Sequence, residues 1–380
     1  MSQRLVCVLE HPTQYDPPLW RRMAQRGRVE PIVWYLRGMP PNDKETQNTG
    51  SWRLSFERGF QAEIIAKRDI ISKLKRLMPR PSAILTAGWT EISTWLAVWA
   101  SKYLRVPVIL PSDKIIPEPA GWQMLRRPIC IWHRLKNRLL FDGFFTTGSL
   151  GVQALESTGV KRDRIARGLY PIDVDWWQKN MMEQRGQSAI IRKRAGANPF
   201  VVLAVAKWAE RENPLLVLEA FARFRKEVLE AYLVLVGDGP LRPVIEETIQ
   251  RLSLKEHVFC PGYVCYQELA AFYGAADVFI HVPRFGPWEL SVLEAMACGV
   301  PVVATTNVGA AYDLVVWGKT GALAPPEDAE ALAHALKSVA DARDHKDIIQ
   351  TAVLDRVRLV DVEAASLELE GLIERLHGSV

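Results

Sequence analysis

The stretch FGPWELSVLEAMACGVPVVAT, residues 285–305, decides the fold class of this 380-residue chain. It follows the apolar run AADVFIHV, residues 275–282, so that a strand, a proline-bounded turn, a helix and a second strand stand in order. That order predicts a parallel β-α-β unit. Parallel sheets of this kind bind ligands outside the carboxyl ends of their strands, which makes the turn at 284–289 the first candidate for a binding site.

Short apolar runs alternate with helix-length segments along the whole chain. Strands are predicted at FVVLAVA, AYLVLVG and VFCPGYV in the second half, and at QRLVCVL, VEPIVWYL, PSAILTAG, VPVIL and FDGFFTTG in the first. Strands that alternate with helices imply parallel sheets with helices on both faces. We therefore predict an α/β protein built from doubly wound, Rossmann-like sheets.

The length of the chain, with 48% of its residues hydrophobic, suits two domains better than one. The polar segment 179–198 is the weakest region for a core, so the domain boundary is placed near residue 185. We expect an N-terminal Rossmann-like domain over 1–185 and a second over 186–355. A C-terminal helix within 356–380 is expected to return toward the first domain.

Composition argues against several other classes of protein. No run of 18 or more apolar residues occurs, and the first residues lack the basic-then-apolar pattern of a signal peptide, so a cytoplasmic protein is expected. The five cysteines show no C-x-x-C spacing, and the seven histidines form no H-x-x-x-H cluster. These patterns favour reduced thiols and predict neither a disulfide framework nor a metal centre.

Charge is distributed unequally between the two halves of the chain. Residues 1–180 carry 28 Lys and Arg against 16 Asp and Glu, whereas residues 181–380 carry 20 against 27. The first domain is therefore expected to face an anionic partner. Nucleic acid is a poor candidate for that partner, because the sequence shows no recognised reading module and the second half is acidic.

The segment 121–138, GWQMLRRPICIWHRLKNR, mixes basic and aromatic residues without an acid, and the segment 67–80 repeats the pattern. We interpret both as a membrane-surface element, which would place the protein peripherally on the inner face of an anionic membrane. The alternative is a set of packed helices whose basic faces lie in water. The basic residues of the longer segment are Arg126, Arg127, Arg134, Lys136 and Arg138.

Glycines or backbone amides follow the predicted strands at three places in the second half, namely Gly237 with Gly239, the turn 284–289, and Gly309. A glycine after a strand is usually turn chemistry, so any one of these alone is a weak signal. The turn at 284–289 is stronger because a helix begins there, and the first amides of a helix attract anionic or polyhydroxyl ligands. Glu294, about one turn further on, can accept hydrogen bonds from two vicinal hydroxyls.

The strings AADVFIHV, GPWELSVLEAMACGVPVVATTNVGA and GKTGALAPPEDAEALAHAL resemble family 4 retaining glycosyltransferases of the GT-B fold, the glycosyl transferases group 1. The resemblance covers most of residues 200–340. It implies two Rossmann-like domains facing a central cleft, with a nucleotide diphosphate sugar held by the second domain and an acceptor by the first. In that family the second glutamate of an E-x7-E pattern binds the nucleotide ribose, and the match here is Glu294.

The chain departs from the family pattern at two places. The first glutamate of E-x7-E contacts the donor sugar in the family, but Gly286 stands there, while Glu289 occupies a position where glycine is usual. The family also places a basic residue after the first strand of this domain and a lysine five positions later, both against the donor diphosphate. Lys207 matches the first, whereas Glu212 occupies the second, and its neighbour Arg211 offers a planar fork suited to phosphate. Without the resemblance, the sequence would allow two interpretations of Lys207 and Arg211 equally: solvated loop charges, or side chains that bind the diphosphate.

The resemblance also implies which residues hold the donor, and it implies no obligatory metal or other cofactor, because helix amides and side chains neutralise the leaving diphosphate in the GT-B arrangement. Asp173-x-Asp175 looks like a metal-binding motif, but its place near the interdomain link favours a structural turn. The predicted catalytic residues are His11, Lys207, Arg211 and Glu289. The predicted donor-binding residues are Glu294, Gly286, Pro287, Trp288, Leu290, Ser291, Gly237, Gly239, Tyr263, Val264 and Gly309.

The polar segment HPTQYD follows the first strand of the chain and is expected to point into the interdomain cleft. A lone histidine after a strand is more often a hydrogen-bonded turn residue, but HPTQY resembles the opening of several bacterial enzymes of the family. We therefore assign His11, Gln14, Tyr15 and Asp113 to the acceptor side.

The predicted function is transfer of a sugar, with retained configuration, from a nucleotide diphosphate sugar to an acceptor hydroxyl. We expect a UDP-sugar in preference to a GDP-sugar, and a role in polysaccharide, glycolipid or other glycoconjugate biosynthesis. The alternative, motivated by Gly286 and Glu212, is a catalytically degenerate relative that serves as a binding or partner subunit.

Overall fold

The computed structural model describes residues 3–38, 59–117, 121–125 and 127–378. It divides into two compact units. Unit 1 contains the described residues up to Pro171 together with those from Val360 onward, and unit 2 contains Ile172–Leu359. Each unit is built on its own parallel sheet, which confirms the predicted α/β class with two Rossmann-like domains.

Unit 1 carries a seven-stranded sheet in the order β3-β2-β1-β4-β5-β6-β7. Its strands are β1 (Gln3–Leu9), β2 (Val29–Tyr35), β3 (Gln61–Ile64), β4 (Ala83–Leu85), β5 (Val108–Ser112), β6 (Gly143–Thr146) and β7 (Ile165–Arg167). Its helices are α1 (Asp16–Arg26), α2 (Ile70–Arg76), α3 (Ile92–Leu104), α4 (Trp122–Leu125), α5 (Pro128–Leu139), α6 (Ser149–Ser157) and α16 (Val362–His377).

Unit 2 carries a six-stranded sheet in the order β10-β9-β8-β11-β12-β13. Its strands are β8 (Phe200–Val205), β9 (Ala231–Val236), β10 (Val258–Gly262), β11 (Val278–His281), β12 (Val302–Thr305) and β13 (Gly321–Ala324). Its helices are α7 (Val174–Glu183), α8 (Arg185–Arg194), α9 (Pro214–Phe224), α10 (Arg242–Arg251), α11 (Leu269–Ala275), α12 (Leu290–Ala297), α13 (Gly309–Leu314), α14 (Ala329–Asp341) and α15 (Lys346–Val357).

Both sheets place their first strand beside their fourth, and this is the point at which the strand order reverses. In unit 2 the neighbours are β8 and β11, whose pairing joins Val202 to Val278 and Leu203 to Phe279. Strands β8 and β9 are apolar along their whole length because helices cover both faces of the sheet, and β9 is buried at every residue. Loops that leave β8 and β11 at their carboxyl ends diverge here, which opens the position where doubly wound sheets bind their ligands.

The predicted interdomain link is the main point at which the structure departs from the sequence-based boundaries. Segment 179–198, taken as a linker because it is polar, forms the second half of α7 and all of α8 within unit 2, and the division between the units follows Pro171. Its polar side chains bind backbone carbonyls of α11: Ser188 Oγ donates to Ala271 at 2.9 Å, and Arg192 Nη1 to Ala275 at 2.8 Å. Polar side chains that pack through hydrogen bonds leave no apolar pattern in the sequence, so the segment was predicted to be a linker.

Helix α16 is part of unit 1 although it follows all of unit 2 in the chain. Arg22 and Arg26 of α1 both form ion pairs with Glu363, and Arg26 also contacts Glu370 at 3.1 Å, where the carboxyl is buried. A Cβ on Gly168 would lie 2.7 Å from the Cα of Ala365, so the backbone after β7 and the helix touch directly.

The basic segment 121–138 forms α4 and α5, with Arg126 outside the described residues. Arg134 and Arg138 are exposed, as a membrane-facing helix requires, but Lys136 is only 5% exposed. The prediction of a surface position for Lys136 is therefore wrong, because the helix turns this side chain inward. Among the described residues, no helix is both long enough and apolar enough to cross a membrane.

Candidate functional site

Two loops and one helix meet at the carboxyl ends of β8 and β11. The loop after β8 carries Lys207 and Arg211, and the loop after β11 runs from Val282 to Glu289, where α12 begins. Most of the residues predicted from the resemblance in the second half lie on these three elements. Their position at the strand-order reversal of the sheet makes this the candidate ligand site of unit 2.

The loop after β11 is fixed to the loop after β12. Gly309 N–H donates to the Gly286 carbonyl at 2.8 Å, and Gly286 pairs with Val308 in an isolated parallel bridge. A Cβ on Gly309 would lie 2.0 Å from the Pro287 carbonyl oxygen, so only glycine fits at that position. The predicted donor residues Gly286, Pro287 and Gly309 are thus brought together by backbone contacts.

Glu289 stands at the amino end of α12, and its side chain lies over Gly286. A Cβ built on Gly286 would fall 2.4 Å from Glu289 Cγ and 2.6 Å from Glu289 Oε1. These distances are far below van der Waals contact, so the Glu289 side chain fills the space into which a side chain at 286 would project. The Glu289 side chain can therefore take this position only because residue 286 is a glycine.

A histidine and an arginine contact the Glu289 carboxylate. His281 Nε2, at the end of β11, lies 3.3 Å from Oε2, and an Arg211 guanidinium nitrogen lies 3.6 Å from Oε1. Burial alone would raise the pKa of Glu289, but the hydrogen bond with His281 and the charges of His281 and Arg211 outweigh it and hold the pKa below its usual value. Sequence reasoning missed His281, whose signal was a histidine ending a buried strand.

Glu294 lies one turn further into α12 in a different environment. It is 5% exposed, and the Tyr273 hydroxyl donates to its Oε2 at 2.8 Å. Burial raises its pKa to about 7, while the hydrogen bond from Tyr273 and the charge of His281 act in the opposite direction. Trp177 of α7 packs edge-on against Tyr273 with ring centroids 5.5 Å apart, so α7 and α11 together fix the carboxyl. Leu290 and Ser291 form the first turn of the same helix.

Arg211 is held between carboxylates. Its guanidinium contacts Glu212 Oε1 at 2.7 Å as well as Glu289, and Glu212 is 9% exposed. Lys207 is half-buried two residues beyond the end of β8. In the part of the chain that the structure describes, the residues that could share a metal ion are Glu212, His281 and Glu289, whose ligand atoms lie within 4.8 Å of one another.

Four of the remaining predicted donor residues lie beside β9 and β10, and the fifth, Trp288, lies in the loop after β11. Gly237 and Gly239 have φ angles of 146° and 155°, and Cβ atoms there would lie 1.9 Å from the Ala206 carbonyl oxygen and 2.6 Å from that of Trp208. The glycines are therefore required because the backbone after β9 touches the backbone after β8. Tyr263, which is 42% exposed, and Val264 follow β10. Trp288 is buried.

The residues predicted for the acceptor side lie in unit 1, at the carboxyl ends of its strands. His11 is exposed beyond β1, and Gln14 Nε2 donates to the Tyr15 hydroxyl at 2.5 Å. Asp113 is exposed after β5. Tyr170, after β7, was not predicted. Burial, followed by the charges of Asp113 and Asp16, raises its pKa, which places this phenol near both carboxylates.

The Asp173-x-Asp175 motif has the structural role expected of it. Asp173 caps α7, accepting a hydrogen bond from the backbone N–H of Trp176 at 3.0 Å. Asp175 forms an ion pair with Arg358 at 3.0 Å. The two carboxyls are thus used in different contacts.

Comparison with known proteins finds a family profile that part of the second half of the chain matches. Residues 187–353 match the profile of the family described as glycosyl transferases group 1. Among curated proteins, the alpha-monoglucosyldiacylglycerol synthase of Streptococcus pneumoniae is 27% identical over 57% of this chain and 51% of its own length. The GDP-mannose-dependent alpha-(1-6)-phosphatidylinositol monomannoside mannosyltransferase of Mycolicibacterium smegmatis is 32% identical over 39% of this chain and 41% of its own. The chain spans about half or less of the length of these relatives.

Solved structures extend the likeness to both units at the level of fold. HepE from Anabaena, solved in complex with UDP, superposes with a TM-score of 0.71 over 97% of this chain and 98% of its own, at 18% identity. Identity this low carries the fold alone. The matched architecture is that of the two parallel-sheet units described above.

Proposed function

We propose that the chain is a retaining glycosyltransferase that uses a nucleotide diphosphate sugar, because residues 187–353 match the profile of the glycosyl transferases group 1 family. It transfers the sugar to an acceptor hydroxyl in the synthesis of a polysaccharide, glycolipid or other glycoconjugate. The observation that carries this proposal is Glu294, a buried carboxyl fixed by Tyr273 beside the strand-order reversal of the unit 2 sheet.

The nucleotide is held at the start of α12. Glu294 accepts hydrogen bonds from the vicinal ribose hydroxyls through the oxygen that Tyr273 does not engage. The backbone amides of Leu290 and Ser291 supply the positive end of the helix to the oxygen atoms of the donor. Gly237, Gly239 and the loop of Tyr263 border the base.

The chemical demand of the reaction is the charge that develops on the leaving diphosphate. Lys207 and Arg211 stabilise that charge with their own positive charges. The acceptor attacks the face of the sugar from which the leaving group departs, so the reaction needs no enzymatic nucleophile. Arg211 shares its guanidinium with Glu212 and Glu289, so its position is fixed before the donor binds.

Glu289 takes over the sugar contact that residue 286 makes in the family. Its carboxylate occupies the space next to Gly286, and its lowered pKa keeps it ionised as a hydrogen-bond acceptor for a sugar hydroxyl. His11, Gln14, Tyr15 and Asp113 are proposed for the acceptor side. No obligatory metal is proposed.

Isothermal titration calorimetry of the purified protein with UDP, GDP and their sugar conjugates tests binding. NMR of the reaction products then tests the anomeric configuration of the transferred sugar. We expect UDP to bind more tightly than GDP, as the UDP complex of HepE suggests, and the transferred sugar to keep the anomeric configuration of the donor. Inverted product would contradict retention. Failure of every nucleotide to bind would remove the proposal.

A second candidate function is a non-catalytic partner subunit of an active transferase. The buried Glu212 favours it, because a carboxylate stands where the family has a lysine for the diphosphate. Nucleotide binding without donor hydrolysis or transfer to any acceptor would favour this candidate over the enzyme.

Unit 1 is proposed to contact an anionic membrane surface. On α3, Trp95, Trp99 and Tyr103 are 36%, 57% and 66% exposed along one face, and Lys75 of α2 lies 4.5 Å from the Tyr103 ring. Helix α5 adds a second exposed apolar stripe, formed by Ile129, Trp132, Leu135 and Leu139. Aromatic rings beside lysine and arginine side chains suit the interface of an anionic bilayer.

Liposome flotation tests the membrane contact. We expect the protein to float with vesicles that contain phosphatidylglycerol and to remain behind with phosphatidylcholine alone. Trp99→Ser and Trp132→Ser together should reduce flotation, whereas Trp317→Ser, which changes an exposed tryptophan of unit 2, should not. Equal recovery of all variants with the anionic vesicles would remove this part of the proposal.

A further inference from the structure

A cavity separate from the candidate site of unit 2 lies wholly within unit 1, at the carboxyl ends of β4 and β5. Its volume is about 280 Å³, and its other walls are α5 and α6. The polar and aromatic residues that line it include Trp89, Asp113, Lys114, His133, Lys136 and Asn137. A cluster of two lysines and a histidine thus lines the cavity, and the carboxylate in its lining, Asp113, is exposed.

Lys136 is the unusual member of this cluster. It is 95% buried, and its Nζ lies 4.2 Å from the centre of the Trp89 ring. No carboxylate of the described residues lies within ion-pair distance of that nitrogen, and its charged neighbour is Lys114. Burial, and then the charge of Lys114, lowers the pKa of Lys136 to about 8. At neutral pH the side chain is still mostly an ammonium ion.

An ammonium on a largely buried side chain is costly when no carboxylate pairs with it, because burial removes part of its hydration. Contact with the face of Trp89 offsets part of that cost, but a ring quadrupole does not satisfy the three N–H donors. A purely structural lysine would be expected either to reach solvent or to meet a carboxylate. An anion in the cavity would supply the missing charge.

The residue next to Lys136 adds a complementary requirement. Asn137 Nδ2 donates to Thr158 Oγ1 at 2.9 Å, but Asn137 Oδ1 is buried with no hydrogen-bond partner. An unmet acceptor calls for a hydroxyl donor. The wall of this cavity therefore presents two groups on adjacent residues of α5: the Lys136 ammonium, which pairs with no carboxylate of the described residues, and the unpaired acceptor of Asn137.

We propose that this cavity binds an acceptor that carries an oxyanion, a phosphate or carboxylate, together with hydroxyl groups, and that Lys136 is the counter-ion of the oxyanion. The identification of the ligand as the acceptor rests on the proposed glycosyltransferase function. Lys114 and His133 surround the same anion, and Asn137 accepts from a neighbouring hydroxyl. The ligand class is that of a sugar phosphate, a sugar acid or a phosphoinositide headgroup.

Calorimetry of the full chain with glucose 6-phosphate, glucuronate and neutral glucose tests the proposal for a soluble ligand. A lipid-borne ligand is tested by flotation with phosphatidylinositol vesicles against phosphatidylcholine vesicles. We expect at least one of the anionic ligands to bind and glucose not to. Lys136→Met should weaken that binding about tenfold or more, as loss of a charge-assisted contact predicts. Lys161→Met, which changes an exposed lysine of the same unit, should leave it unchanged.

Two further measurements separate the possible failures. Lys136→Met should unfold at the same temperature as the wild type or higher, because it removes an uncompensated buried charge, whereas a structural lysine would give a lower Tm and unchanged anion binding. UDP affinity is measured in parallel and should be the same in both proteins. Anionic ligands that fail to bind while UDP binds would overturn this inference and leave the proposed function standing. Lys136-dependent anion binding without any nucleotide binding would keep the site and remove its assignment to an acceptor.

Discussion

Glu289 at the amino end of α12 and Glu294 in its second turn are the same residue type on one short helix, yet their carboxyls meet opposite surroundings. The side chains of His281 and Arg211 lie beside Glu289, and its pKa is lowered. Glu294 is buried against the Tyr273 hydroxyl, and its pKa is raised to about 7. The shift in each pKa therefore depends on the neighbours of the carboxyl rather than on its position on the helix. Those neighbours come from β11 and the loop after β8 for Glu289, and from α11 for Glu294.

The largest effect is expected from removing the buried carboxyl. Glu294→Ala deletes the proposed acceptor of the ribose hydroxyls, and hydrogen bonds to a charged group contribute about 1.5–3 kcal/mol each, so UDP affinity should fall at least about tenfold. Isothermal calorimetry measures it. Glu247→Ala, at an exposed glutamate of α10 in the same unit, is the matched control and should bind UDP as the wild type does. An unchanged dissociation constant in Glu294→Ala would refute the assignment.

A smaller and more diagnostic effect is expected from the pair formed by Gly286 and Glu289. Glu289→Ala should lower kcat/KM for donor turnover about tenfold, through loss of one charged hydrogen bond to the sugar. Gly286→Ala should lower it as well, because the new Cβ would meet Glu289 Cγ at 2.4 Å and displace the carboxylate from His281.

The double variant separates this explanation from two independent defects. Once Glu289 has become alanine, nothing remains for the Cβ at 286 to displace, so the second substitution should add little to the first. The coupling between the two substitutions is expected on the order of 1 kcal/mol. Additive losses in kcat/KM would show that Glu289 does not act from the place beside Gly286.

The fold and the position of Glu294 were predictable from the sequence, because both depend on short-range patterns. Apolar runs that alternate with helical segments predicted the two parallel sheets, and the string around Glu294 placed that residue on the helix after β11. The partners of Glu289 were not predictable. His281 lies eight residues before it and Arg211 lies 78 residues before it, and their approach depends on the pairing of β8 with β11.

Buried polar side chains explain the two other places where the structure differs from the sequence-based prediction. Lys136 looked like one more surface charge in a basic segment, because sequence does not show which turn of α5 faces inward. Segment 179–198 looked like a linker, because side chains such as Ser188 that bind backbone carbonyls carry no apolar signal. In both places the deciding contacts are hydrogen bonds or ring contacts made across elements distant in the chain.

The two glutamates should also differ in how they couple stability to pH. The pKa of Glu294 is raised from 4.5 to about 7, so the folded protein holds a proton that the unfolded chain releases, and its contribution to stability is lost as the pH rises between those values. The pKa of Glu289 is lowered, so its contribution is present above its unfolded pKa and is lost as the pH falls through the folded one.

Denaturant unfolding of the two Gln variants over a pH series measures this difference. Glu294→Gln should flatten the fall in unfolding free energy between about pH 4.5 and 7, a change on the order of 2 kcal/mol. Glu289→Gln should leave that range unchanged and flatten the loss below it. Identical pH profiles for the two variants would contradict the opposite pKa shifts.

The smallest effect, no change at all, is expected when metal ions are removed. Glu212, His281 and Glu289 are close enough to share an ion, but the guanidinium of Arg211 already contacts both carboxylates and supplies the charge that a cation would bring. Dialysis against a chelator should therefore leave UDP affinity and donor turnover unaltered. Arg211→Met removes the competing cation, so Mn²⁺ or Zn²⁺, measured by calorimetry, should bind to this variant more tightly than to the wild type. Loss of wild-type turnover on chelation, restored by Mn²⁺, would show that the three side chains hold a metal and that Arg211 only flanks it.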